Sequence, residues 1–196
     1  MRTLIHSVLI EFGPVTLFFA TYVVSDFFTA IWANIIATAC AVGYALYDQR
    51  RIAWFPIVTL VSVLVFGGSS LFFKSETLYI LQDTIGSLVF AGVFLVSVWR
   101  GRPILEAWFR YTFAISERGW RVLTIRWGVF FLLLGISNEA VRLTLSPEAW
   151  VVFKAGTTLA TILFGLYQFR LSMRERIEKE SNRLGLRTVP IPIDTR

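Results

Sequence analysis

Asp83, Asn138, Glu139 and Lys154 are the side chains of this sequence that most need a chemical explanation, because each lies within or at the edge of a long apolar run. A carboxylate and an ammonium can form an ion pair, and the Asn138 amide can both donate and accept the hydrogen bonds that the pair leaves over. An ionisable group in a bilayer costs about 2.5–3.5 kcal/mol on insertion scales, so it calls for a partner or a function. Two readings follow: a polar site that handles an ion, solute or lipid, or a structural cluster in which Glu139 and Lys154 snorkel toward the headgroups. His6 and Glu11 form a second combination with the same alternatives, an intramembrane site or an interfacial histidine.

Reactive chemistry has no visible anchor. No nucleophile stands beside a recognisable base, and there is no His-x-x-x-His pair, Cys-x-x-Cys pair or phosphate-binding glycine loop. The expectation is therefore a protein that is not an enzyme, with no catalytic residue, no cofactor and no metal ligand. Cys40, flanked by Ala39 and Ala41, is the single cysteine, so no internal disulfide can form. It reads as a small packing residue.

The elements that must position these groups are apolar helices. Of the 196 residues 56% are hydrophobic and 16% charged, against about 25% charged in a soluble domain. The spacing predicts spans over 4–24, 27–47, 52–73, 79–99, 122–145 and 148–169. Each has about the 20 residues that cross a hydrocarbon core of about 30 Å. The first is interrupted by Glu11 and Pro14, which leaves five or six spans and predicts a kink near Ile10 to Phe12. No small-x-small cleavage pattern follows it before Asp26, so it is expected to be retained. Gly67 and Gly68, with Ser69 and Ser70, remove side-chain bulk at one level of the third span, and Gly135 does so in the fifth. These are expected helix-packing positions, as is the Ala-rich centre of the second span (Ala33, Ala37, Ala39, Ala41, Gly43). Ser146-Pro147-Glu148 reads as a helix start.

Between the fourth and fifth spans, Leu105, Trp108, Phe109, Thr112 and Phe113 recur at helical spacing. They predict a helix over about 103–116, lying on the membrane surface or packed on the bundle's own loops. After residue 170 the pairs Arg174/Glu178, Glu175/Lys179 and Arg176/Glu180 predict a charged helical extension to Gly185 and a disordered end. The overall expectation is an all-α polytopic bundle forming one transmembrane domain over 1–170, with a charged extension over 171–196.

Sixteen of the 19 lysines and arginines fall in one set of alternate gaps; Lys74, Arg142 and Lys154 make up the other. Positive charge is retained on the side of synthesis, which places both termini and the 100–121 connection in the cytoplasm. Trp54, Trp99, Trp120 and Trp127 then fall near the inner boundary and Trp32 and Trp150 near the outer, as an aromatic belt would. Asp83, Asn138, Glu139 and Lys154 share the outer half. The basic residues carry no nucleic-acid motif, so the net charge of +6 is read as orientation and contact with anionic membrane lipid.

Phe66-Gly67-Gly68 with Leu71-Phe72-Phe73, then Trp127, Phe130-Phe131, Gly135 and Asn138, then Trp150 with Phe153-Lys154, stand in the order and spacing of a known family. Phe12-Gly13-Pro14 to Phe18-Phe19 agrees with it. The sequence resembles the intracellular septation protein A family, the YciB-type bacterial inner membrane proteins, and departs from it in the longer charged carboxyl end and in Glu139 beside Asn138. The resemblance implies a multi-pass inner membrane protein of envelope biogenesis, envelope integrity and septation, associated with the elongation and division machinery. It brings no catalytic residues and no cofactor. A scaffold for protein or lipid partners is the first expectation; a small transporter or lipid-translocating protein built on the outer polar cluster is the second. Homo-oligomers through the glycine contacts are compatible with both, and nucleic acid is not an expected partner.

Overall fold

The computed structural model describes residues 2–49 and 54–189, with side chains described over 13–44, at Tyr47 and over 59–189. His6, Glu11, Trp54 and the end beyond Val189 carry expectations that lie outside these described side chains. The described residues form seven helices: α1 (Arg2–Val24), α2 (Phe27–Gln49), α3 (Trp54–Phe73), α4 (Glu76–Trp99), α5 (Ile104–Phe109), α6 (Glu117–Thr144) and α7 (Pro147–Arg174). The protein is an all-α polytopic membrane protein. Among the described residues α4, α6, α7 and Phe27–Tyr44 of α2 are long and apolar enough to cross a membrane, and Gly13–Val24 and Thr59–Phe73 are shorter apolar stretches. The α1 helix runs through Pro14 without a break.

Local chemistry sets the helix ends. Asp26 caps α2: its Oδ1 accepts from the backbone N–H of Phe28 (2.9 Å) and Thr29 (3.1 Å), and the Thr29 hydroxyl donates to Oδ2 (2.5 Å). These bonds, the Thr29 hydroxyl foremost, hold the Asp26 carboxyl below its ordinary range. Ser116 caps α6 through the Gly119 N–H (3.0 Å), so the helix starts at Glu117, ahead of the predicted span. Ser146 caps α7 through Ala149 N–H (3.4 Å), with Pro147 in the first turn. Both α3 and α4 end in a residue of left-handed backbone, Lys74 (φ 48°) and Gly101 (φ 73°). In each case the next N–H returns to a carbonyl five residues back, Ser75 to Ser70 and Arg102 to Ser97, both at 3.0 Å. Those bonds satisfy carbonyls the helix end would otherwise orphan.

The chain forms two compact units, residues 1–83 with 139–152, and residues 84–138 with 153–196. In the first, α2 buries Phe27, Ala30, Ile31, Asn34, Ile35, Thr38 and Val42, one continuous stripe at helical spacing. Ile31 and Ile35 meet α3 at Gly67, where a Cβ would lie 3.1 Å from Ile35 Cδ1; a Cβ at Gly68 would meet nothing within 4 Å. So the glycine pair is not one contact: Gly67 is the close approach and Gly68 points away. Of the Ala-rich centre, Ala39 and Gly43 are exposed, while Ala33, Ala37 and Ala41 are half-buried beside the stripe. Larger branched side chains filling the space above a glycine gain more dispersion contact than alanines would.

In the second unit α4 and α6 are antiparallel. A Cβ at Gly128 would lie 2.8 Å from Leu95, and one at Gly135 2.9 Å from Leu88, so two glycines seven apart face two leucines seven apart. The α7 helix follows α6 in the same antiparallel sense, with Phe164 stacked on Phe130 (4.2 Å) and edge-on to Trp127 (5.0 Å). Phe94, Leu105, Ile115 and Trp120 are the buried core beneath.

Two expectations fail here. The helix over 103–116 is only Ile104–Phe109, and the extension beyond Arg174 is not helical. Instead 112–116 pairs with 175–187 through Ser116 N–H to Glu175 O (2.8 Å), Ile177 N–H to Ala114 O (2.9 Å), Ala114 N–H to Gly185 O (3.0 Å) and Arg187 N–H to Thr112 O (2.8 Å). This clasp gives both segments backbone partners and buries Ala114 and Ile115. Its ion pairs are Arg176–Glu178 (2.9 Å) and Arg187–Glu180 (2.6 Å) rather than the four-apart pairs of a helix. Trp120 and Trp150 also depart from expectation: they are 4% and 1% exposed, core residues rather than belt residues, while Trp32 and Trp99 are exposed.

Candidate functional site

The polar side chains of the apolar helices are paired. In the second unit Asn138 of α6 donates through Nδ2 to Thr84 Oγ1 of α4 at 2.8 Å, one turn beyond Gly135 on the same seam, and both residues are buried. The glycine lets the backbones approach, and the amide and hydroxyl then satisfy one another away from water. Nearer the start of α6, Arg126 donates to Gln168 Oε1 of α7 at 3.3 Å, and Gln168 is buried. Lys154 is half-buried, and its carbonyl accepts from the hydroxyls of Thr157 (3.1 Å) and Thr158 (2.8 Å).

In the first unit Glu139 binds Arg142, one turn on, through Arg142 Nε to Oε2 (2.8 Å) and a second, parallel bond to Oε1. Two parallel N–H donors on one carboxylate make a geometrically specific pair. Asp83 is half-buried in the same unit. Of the four predicted residues, Asp83 and Glu139 thus lie in the first unit and Asn138 and Lys154 in the second.

The first unit also holds a group of aromatic rings that the polar residues did not announce. Phe18 stacks on Tyr79 (5.4 Å), Phe27 is edge-on to both Phe18 (5.9 Å) and Tyr79 (5.8 Å), and Trp150 lies 5.9 Å from Phe27 and 6.1 Å from Tyr79. Asn34 Nδ2 donates to the Tyr79 hydroxyl at 2.8 Å. Rings from α1, α2, α4 and α7 therefore close on one another, and Asn34, the amide in the apolar middle of α2, is bound there. Spacing could have found Asn34 alone, because it lies on the stripe that α2 buries; Arg126 with Gln168 carried no spacing signal.

Among the described residues no group of three or more His, Cys, Asp or Glu is placed to hold a metal ion. What the arrangement does chemically is fasten helices: each amide or guanidinium described above for the apolar helices binds a hydroxyl, amide or carboxylate, across a helix–helix contact or one turn along its own helix.

The family model for intracellular septation protein A matches residues 7–179. The chain is 32% identical over 188 residues to the inner membrane-spanning protein YciB of Sinorhizobium medicae, covering 88% of this chain and 90% of that one. It is 36% identical to the protein of the same name from Afipia carboxidovorans (85% and 84% covered) and 33% identical to that from Shigella dysenteriae (82% and 93% covered). No solved structure matches. The match runs from α1 into the clasp and includes every polar pair described above for the apolar helices, and the chain belongs to the intracellular septation protein A family.

Proposed function

We propose that this protein is a non-catalytic helical scaffold of the bacterial inner membrane, acting in septation and envelope biogenesis by holding membrane proteins of the elongation and division machinery. Family membership supports septation, and the relatives' names supply the inner membrane. The observation that carries the scaffold reading is that polar side chains of the apolar helices bind one another in the seams, as in Asn138–Thr84 and Asn34–Tyr79. Both termini and the 100–121 connection face the cytoplasm in this reading. Its test is in-cell crosslinking with gene deletion. Crosslinks to division and elongation proteins, with altered cell length and envelope permeability on deletion, are expected; a deletion strain unchanged in length, permeability and osmotic tolerance contradicts the proposal.

A second reading is a small transporter or lipid-translocating protein, for which the half-buried Asp83 and Lys154 speak. Liposomes containing the protein would then move solute or lipid, and Lys154→Met would abolish the flux.

A further inference from the structure

The helix ends of the second unit gather cations in one place. Because α4 and α6 are antiparallel, and α6 and α7 likewise, the end of α4, the start of α6 and the end of α7 lie together with α5 and the clasp. Arg100 and Arg102 leave α4, Arg118 and Arg121 open α6, and Arg170 and Arg174 close α7, all six exposed. Of the five acids nearby, Glu178 and Glu180 are engaged by Arg176 and Arg187 and Glu175 by the Ser116 hydroxyl at 2.5 Å, which leaves Glu106 and Glu117 against the six arginines. Folding the carboxyl-terminal segment back as a clasp thus pairs acids with its own arginines and leaves the helix-end arginines facing outward.

Exposed rings are interleaved with them. Trp99, the last residue of α4, is 84% exposed and Tyr111 70%. The Arg110 guanidinium lies 5.3 Å from the Tyr111 ring centre and that of Arg170 5.6 Å from Tyr167. Indole and phenol rings settle at the headgroup level of a bilayer, so a tryptophan ending a membrane-length helix sets the depth of the arginine that follows it. Guanidinium groups at that depth meet phosphodiesters, which they bind in a bidentate way.

We propose that this arginine collar binds anionic phospholipid headgroups and selects them over zwitterionic ones. The inference needs only that the helices cross the membrane, so it stands or falls independently of scaffolding. The test is native mass spectrometry of the full chain in detergent micelles offered equal amounts of phosphatidylglycerol, cardiolipin and phosphatidylcholine. Retention of the two anionic lipids at least about tenfold above phosphatidylcholine is expected, since each basic residue near an anionic surface contributes about fivefold. The fourfold variant Arg100→Gln, Arg102→Gln, Arg118→Gln, Arg121→Gln should lose that preference, and Lys74→Gln should keep it. Independently of any variant, moving the native chain from a Debye length of about 30 Å to one of about 3 Å should collapse the preference. Equal retention of phosphatidylcholine, an unchanged fourfold variant, or a preference that survives high salt would each overturn the proposal.

Discussion

At the scale of single residues, the two glycines of α3 make the sharpest contrast. Their neighbours in sequence are alike, but only Gly67 has a side chain of another helix against it. Gly67→Leu must displace Ile31 and Ile35 and should cost about 1–3 kcal/mol as overpacking, read as a lowered midpoint of thermal unfolding in detergent. Gly68→Leu should leave the midpoint unchanged. Asn138→Ala deletes the bond to a buried hydroxyl and should cost about 0.6–2 kcal/mol; restoration by the double variant Asn138→Ala, Thr84→Ala would show that the cost lies in the unpaired group. Why one glycine of two makes contact was not legible, because the sequence lacks the rotation of α3 about its own axis. The polar side chains, by contrast, were recognisable as needing partners. Their partners were hidden, since Thr84 and Gln168 are ordinary polar residues until the antiparallel register of the second unit places them opposite Asn138 and Arg126.

Element ends obey local rules, and the predictions there are local. The Asp26 carboxyl is held below its ordinary range by the N–H and hydroxyl groups it caps. A carboxyl whose folded value is depressed stabilises above its unfolded value, about 3.9, and loses that contribution as pH falls through the folded one. Stability should therefore fall on acidification below about pH 4, and less so in Asp26→Asn, whose amide caps without titrating. Gly185 has φ 79°, and a Cβ there would sit 2.7 Å from the Ser172 carbonyl. Gly185→Ala should open the clasp, seen as faster proteolysis between 175 and 189 with the helical signal retained. Helices α2, α4 and α7 could be read from apolar length and from Ser146-Pro147-Glu148, since those are short-range signals. The clasp could not: Ser116 and Glu175 are 59 residues apart, and the local charge pattern argued for helix. Backbone pairing between distant segments won over four-apart ion pairs, each worth only about 0.2–0.5 kcal/mol. Tryptophan positions misled for a related reason, because an indole suits a core as well as an interface.

For the whole molecule, the many exposed Leu, Val and Ile side chains on α2, α4, α6 and α7 would be a liability in water and are the natural contact with acyl chains. Arginine carries the proposed orientation, and it is concentrated where α4 and α7 end and α6 begins, beside α5 and the clasp. The proposed cytoplasmic placement of the termini and of the 100–121 connection rests on that one assignment of sides. It is tested most directly by replacing Cys40 with alanine, introducing a single cysteine at the exposed Thr112, and treating intact cells with a membrane-impermeant maleimide. Labelling is expected only after the membrane is permeabilised; full labelling of Thr112→Cys in intact cells would put the connection outside and overturn the assignment.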